Sequence, residues 1–258
     1  SKEEIKTVEL IQVTADNLDK EHICCALASD KDPQVLAKKA WLSERFAEGL
    51  VFLKGNVRGK CFIEYIPAEK AWAPIAAEGY MYIDCLWVAG QFKGQGYSNL
   101  LLEACIRDSQ AKGKKGLVIL SGKKKLPFMS DPKYLAYKGF TVCDTVGRDY
   151  TAMVLTFGEQ ETLPRFKAHL HQPLVEQKGF VLYYTHQCPF TAKYVPLLAD
   201  MARQKGAPFQ AIRFASAEEA QNGPVVFTTF GLFYDGALIT HEILSEKKFE
   251  KLLTDRGL

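Results

Sequence analysis

The sequence predicts a mixed α/β protein (an α/β or α+β arrangement) built as two successive units, and three observations predict it. From Val8 to Phe157, apolar runs of strand length alternate with stretches of helical periodicity. A polar stretch with two prolines, GEQETLPRFKAHLHQPLVEQKG, interrupts the alternation between Gly158 and Gly179. Beyond it the pattern restarts and runs strand, helix, strand, helix, strand, strand, helix to the end. The expected organisation is a first unit at 1–157, a linker at 158–178 and a second unit at 179–258.

The first unit opens with VELIQVT (Val8 to Thr14) as a strand and a helical stretch over 17–28. A second helix has Asp32 as N-cap and Pro33 at its first position, where a missing N–H costs nothing, and it stops at Gly49. LVFLKGNVRGKCFIEYIP reads as a hairpin turning at Gly55-Asn56, and GYMYIDCLWVAG as a long strand. A glycine turn leads into a helix reaching Lys112. The strand GLVILSG follows, then a helical segment at 132–138, then the strands FTVCD and YTAMVLTF on either side of Gly147. In the second unit FVLYYT is a strand and PFTAKYVPLLADMARQKG a helix ending at Gly206. PFQAIRF is a strand and SAEEAQN a short helix. FTTFGLFYDGALITHEI makes two strands around Asp235-Gly236, and SEKKFEKLL is a helix capped by Ser245.

With 258 residues, 47% hydrophobic and 24% charged, the chain has ample material for a core. A net charge of +3 gives no argument for nucleic acid, and the densest basic run, SGKKKL, reads as a solvated loop. No apolar run approaches the roughly 18 residues of a membrane span, and SKEEIKTVEL lacks the apolar core of a signal peptide. Seven cysteines at irregular spacings do not form a disulfide framework. Cys61, Cys85 and Cys143 sit in apolar runs as small hydrophobes, and Cys24 and Cys25 in a helical pattern, so a reducing cytoplasm is expected. His169 and His171 have no third ligand in sequence reach, so no metal is expected there.

The stretch VAGQFKGQGYSNLLLEA, Val88 to Ala104, is the first that points to chemistry. A strand, a tight glycine turn and a helix start aim backbone N–H groups at one point, and the helix dipole favours an anion there. The dinucleotide fingerprint fails because Asn99 stands where its third glycine belongs, and the Gly-Lys-Ser/Thr of a P-loop is absent.

This segment resembles the acetyl-CoA site of the GNAT family of N-acetyltransferases, whose pattern is Arg/Gln-x-x-Gly-x-Gly/Ala after a strand. Two registers fit. Gln91-x-x-Gly94-x-Gly96 matches letter for letter. The register anchored by the strand-end valine puts Lys93 at the Arg/Gln position, Gly96 at the fixed glycine and Ser98 at Gly/Ala. The element order of 1–157 is similar to that fold throughout, and YLAYKGF (Tyr134 to Phe140) resembles the family's last helix and strand start. The resemblance implies acetyl-CoA as cosubstrate. It implies that Leu86, Trp87 and Val88 pair by backbone with the pantetheine arm, that Lys93, Gly94, Gln95, Gly96, Tyr97 and Ser98 cradle the pyrophosphate, and that an amide near Val88 polarises the thioester.

Acetyl transfer to an amine needs a base, because the amine arrives as an ammonium, and an acid helps the thiolate leave. Asp84, four residues before Val88 on the same strand, is the leading base, with Glu64 and Glu78 read as exposed strand carboxylates. The family's usual acid, a tyrosine four residues before the glycine of GF, is Leu135 here. Tyr134 is taken as the acid, with Tyr137 the other option. Trp72 and Tyr80 to Tyr82 are aromatic candidates for an amine pocket.

In the second unit YYTHQCPFTAKYV puts Cys188 at a strand-to-helix junction, where a helix N-terminus lowers a thiol pKa. It resembles the glutaredoxin Cys-Pro-Phe/Tyr-Cys motif, with Thr191 in place of the second cysteine and Thr228 where that family has a cis-proline. His186 is a candidate helper for the thiolate. The order βαβαββα is the thioredoxin plan, and the joined arrangement is similar to YoaP-type proteins. The resemblance implies a GNAT N-acetyltransferase with a small thioredoxin-like domain, acting on a small-molecule or peptide amine, with a homodimer as an option. The alternative is a thiol-dependent redox or thiol-binding protein acting through Cys188, with CoA binding regulatory.

Overall fold

The computed structural model describes residues 8–23, 29–172 and 175–258. Cys24 and Cys25 lie outside the described residues, as does the end of the helical stretch expected over 17–28. Residues 15–20 form turns, in which the Thr14 amide donates to the Asn17 side-chain oxygen at 2.7 Å.

In chain order the elements of the first region are β1 (Leu10–Val13), α1 (Pro33–Phe46), β2 (Val51–Gly55), β3 (Cys61–Pro67), β4 (Ile75–Ala76), β5 (Met81–Val88), α2 (Tyr97–Ala111), β6 (Gly116–Gly122), α3 (Pro132–Tyr137), β7 (Thr141–Val146) and β8 (Tyr150–Thr156). Seven of these strands form one sheet in the order β1-β2-β3-β5-β6-β8-β7, antiparallel except for the β5–β6 pair. α1 begins where the sequence predicts: the Asp32 side chain accepts from the Gln34 amide at 3.0 Å, ahead of Pro33. Strand alternation sorts the sheet's side chains onto two faces. Phe52, Phe62, Ile66 and Tyr82 pack with Val35, Trp41 and Leu42 of α1. Ile63, Met81, Ile83 and Leu117 pack with Leu101 and Cys105 of α2 and Leu135 of α3.

The segment 158–178 carries β9 (Arg165–Phe166), which pairs with β4, and a 3-10 turn at Ala168–His171. Phe166, Leu170 and Val175 are buried, and a ring nitrogen of His169 hydrogen-bonds the Gly223 carbonyl oxygen at 2.8 Å. The remaining elements are β10 (Phe180–Tyr184), α4 (Pro189–Gln204), β11 (Phe209–Arg213), α5 (Ala217–Asn222), β12 (Phe230–Tyr234), β13 (Ala237–Thr240) and α6 (Glu246–Asp255). Their strands form a second sheet in the order β11-β10-β12-β13, with β10 parallel to β11 and the other pairs antiparallel. β10 is covered on both faces, which is why it reads as an unbroken apolar run. Phe180 and Leu182 meet α4 and α6, while Val181 joins the core beneath the first sheet. Asp235 and Gly236, at φ 46° and 82°, make the left-handed two-residue turn that Asp-Gly favours.

Candidate active site

β5 pairs with β3 along its whole length, from Met81 to Val88, but with β6 only from Met81 to Ile83. Beyond Ile83 the two parallel strands diverge, and the edge of β5 from Asp84 to Val88 has no strand partner on that side among the described residues. The divergence coincides with a bulge: Glu64 lies opposite Cys85 and Tyr65 opposite Ile83, so Asp84 is the extra residue. The Asp84 carbonyl accepts instead from Gln187 Nε2 of the second region, at 3.4 Å.

The free edge leads into the glycine turn. Gly94 and Gly96 have φ of 79° and 83°, and a Cβ added at either meets no atom of the described residues within 4 Å. Gly96 is the N-cap of α2 and supplies no side-chain cap. The amides of Gly94 to Ser98 have no protein acceptor among the described residues, and α2's first turn leaves such donors free for an anion. Lys93 is exposed beside them. Tyr97 contributes only its amide, because its ring is buried against Phe92 and Cys61. Gln95 turns back to donate to the Gln91 carbonyl at 3.1 Å. The Tyr134 hydroxyl hydrogen-bonds Ser98 Oγ, which brings it to the start of α2. Leu135 is buried in the core and Tyr137 is 83% exposed.

On the α1 face of β5 a charged cluster is buried. Glu64 and Lys38 form an ion pair and are almost wholly inaccessible. The exposed position expected for Glu64 is therefore corrected: Phe62 and Ile66 flank it at strand spacing and face the α1 core, and so does Glu64. Glu78 is exposed, as expected, but lies in the turn between β4 and β5 and not on a strand. Glu64 Oε2 is buried without a hydrogen-bond donor among the described residues, and the adjacent Asp84, when protonated, is the donor within reach. Burial and the Glu64 charge together hold the Asp84 carboxyl well above the usual range. Asp84, Tyr82, Cys85, Trp87, Phe128 and Phe227 help line a cavity of about 30 Å³ between the diverging strands.

Cys188 is the N-cap of α4 and faces the same cluster. The low thiol pKa expected from the helix end is not found. Burial pushes the thiol up, against the opposing pull of the Phe190 amide and of Lys38 and Lys60. His186 is engaged with Arg213, which donates to its Nδ1 at 3.1 Å. Thr191 Oγ1 donates to the Thr185 carbonyl at 2.6 Å, and the Thr228 hydroxyl donates to the Trp72 carbonyl. Trp72 is not a pocket residue, being packed edge-on to Trp41 under Arg45, and Tyr80 is buried with its hydroxyl on the Thr162 carbonyl. Tyr82 does reach the cavity.

Lys38 was not singled out by the sequence, although it sits three residues after Val35 and four before Leu42, on the buried stripe of α1. Gln187, Phe128 and Phe227 carry no local signal at all.

Comparison with known proteins gives the family. The family described as Acetyltransferase (GNAT) matches residues 15–125, a span that includes β5, the glycine turn and α2 and ends before Tyr134. A family described as YoaP-like matches residues 208–251. The uncharacterized N-acetyltransferase YoaP of Bacillus subtilis (strain 168) is 44% identical over 244 residues, covering 94% of this chain and 97% of its own length. The chain belongs to the GNAT family of acetyltransferases. This GNAT protein is an acyltransferase with a YoaP-like C-terminal region. Similar solved structures include the PaiA N-acetyltransferase of Thermoplasma acidophilum in complex with coenzyme A. It is 14% identical and covers 58% of this chain and 99% of its own, with a TM-score of 0.40. The GNAT acetyltransferase YhbS of Escherichia coli in complex with CoA is 12% identical, covering 64% and 92%, with a TM-score of 0.39. No helix among the described residues is long and apolar enough to cross a membrane.

Proposed function

We propose that this GNAT protein moves an acetyl group from acetyl-CoA to a primary amine by direct attack in a ternary complex. Acetyl-CoA is the cosubstrate and supplies an activated thioester. The observation that carries the reading is the unpaired edge of β5 running into the free amides of Gly94 to Ser98. An extended arm with amide groups can add to such an edge as an extra strand would, and a pyrophosphate suits the turn. Leu86, Trp87 and Val88 hold the arm by backbone, while the turn, with Lys93 beside it, holds the phosphates. An amide near Val88 donates to the thioester oxygen as negative charge develops there.

Asp84 takes the proton from the acceptor ammonium. Its raised pKa makes its carboxylate a stronger base, and burial raises that pKa first, with the Glu64 charge adding to it and Lys38 opposing. Tyr134, held at Ser98, hands a proton to the departing thiolate. The experiment is a thiol-release assay with acetyl-CoA and primary amines on wild type, Asp84→Asn and Tyr134→Phe. Both variants should lose turnover and keep acetyl-CoA affinity; undiminished turnover in either removes that residue's role.

We also read 179–258 as a thioredoxin-like domain, which the sheet order β11-β10-β12-β13 and the element order support. Its Gln187 reaches the Asp84 carbonyl, and that contact supports the reading that the two domains share one site. A second reading, thiol chemistry at Cys188, draws support from the Phe190 amide and the two lysines, but burial keeps the thiol protonated. Cys188→Ser separates the two: amine acetylation that survives favours acetyl transfer without the thiol.

A further inference from the structure

The acceptor side of the cleft is walled by both regions of the chain, and its walls are aromatic. Trp87, near the open end of β5, is 42% exposed, and Phe128, in the loop between β6 and α3, is 38% exposed. Phe128 has a φ of 63°, a left-handed conformation that bulky residues seldom adopt. It lines both the inner cavity and a second recess of about 240 Å³, whose other walls include Phe190, Tyr194, Glu242 and Lys248. Phe128 is thus a wall common to both spaces. Phe190 and Trp87 face a common cation, with Lys60 Nζ 5.2 and 5.5 Å from their ring centroids. Phe227 contributes another ring at the inner cavity.

Each space selects a different part of a ligand. The inner one is lined by Asp84, a carboxyl suited to an ammonium, with the buried Lys38–Glu64 pair adjacent to it. The outer one is smaller than the roughly 300–1,000 Å³ of a drug-sized site, which leaves room for a single ring. It offers a peptide backbone little, because its main polar groups, Glu242 and Lys248, already pair at 2.5 Å. Aromatic walls reward a flat apolar body by ring contacts and by removal from water.

Resting on the acetyltransferase reading above, we propose that the acceptor is a compact aralkylamine, with its ammonium at Asp84 and its ring among Phe128, Phe190 and Tyr194. The C-terminal region then supplies half of the specificity surface. The test compares kcat/KM for three acceptors, 2-phenylethylamine, ethylamine and pentaglycine, in wild type, Phe190→Ala and Tyr194→Ala. Acetyl-CoA affinity is measured alongside. Burying a ring should favour 2-phenylethylamine over ethylamine by about tenfold or more, and each variant should cut that ratio while acetyl-CoA affinity holds. Preference for pentaglycine overturns the proposal, as does a ratio that neither variant changes. Wild-type protein that fails to bind acetyl-CoA overturns the underlying reading and this inference with it, so the two failures are told apart by the affinity measurement.

Discussion

Replacing Glu64 by Gln tests how the buried cluster sets the proton affinity of Asp84. In the wild type the Glu64 charge disfavours ionisation of Asp84, while Lys38 favours it. Glu64→Gln removes the first influence and keeps the second, so Asp84 becomes the carboxylate partner of Lys38 and its pKa falls. Unit charges about 4 Å apart interact by about 4 kcal/mol at an effective dielectric constant of 20. That is an upper bound on the effect, and opening of the cleft to water reduces it. The acid limb of the kcat/KM profile, where activity rises as Asp84 ionises, should therefore move to lower pH. Lys38→Met should move it the other way, since the favouring cation is gone. A carbon NMR titration of labelled aspartate gives the same answer without turnover. An acid limb that stays in place in both variants, or moves the same way in both, refutes the reasoning.

Other consequences follow from the same geometry. Asp84→Asn mimics the protonated acid and should cut the rate by about 10²- to 10⁴-fold. Because the folded state raises the Asp84 pKa, its contribution to stability is fully present below the unfolded pKa and is lost as pH rises through the folded one. The Asn variant, having no charge to bury, should therefore lose less stability than wild type on alkaline titration, as thermal melts across pH would report. Lys38→Met leaves a buried carboxylate unpaired and should lower stability by about 3–5 kcal/mol. Denaturant melts check this. Cys188 should react slowly with thiol reagents at neutral pH and faster well above it, since burial holds the thiol protonated. Rapid labelling at neutral pH would contradict that environment.

Much of this architecture is legible in the sequence because local rules govern it. The Asp32-Pro33 helix start, the strand Gly116–Gly122 and the Asp235-Gly236 turn each follow from nearby residues. The glycine turn is legible for the same reason, since Gly94 and Gly96 adopt conformations that glycine tolerates best. The buried cluster is only half legible. Lys38 and Glu64 sit at core-facing spacings, but nothing local says that a lysine on one element meets a glutamate 26 residues away. The approach of Gln187 to the Asp84 carbonyl, 103 residues apart, depends on how the second sheet packs on the first. That packing comes from a shared core in which Val181, Phe214 and Phe233 join Phe62 and Tyr82, and no single stretch of sequence encodes it. The Cys188 thiol is half legible for the same reason: the helix end is local, and the burial that outweighs it is not.

The most direct test of the central claim is calorimetric titration of the protein with acetyl-CoA, in wild type, Gly96→Ala and Gly96→Glu. A Cβ at Gly96 meets open space, and its φ of 83° adds only a strain of about 1–2 kcal/mol. The account predicts that wild type binds, that Gly96→Ala binds more weakly, and that Gly96→Glu folds but does not bind, because its carboxylate occupies the anion position. Binding by folded Gly96→Glu as strong as wild type, or no binding by wild type, would contradict it.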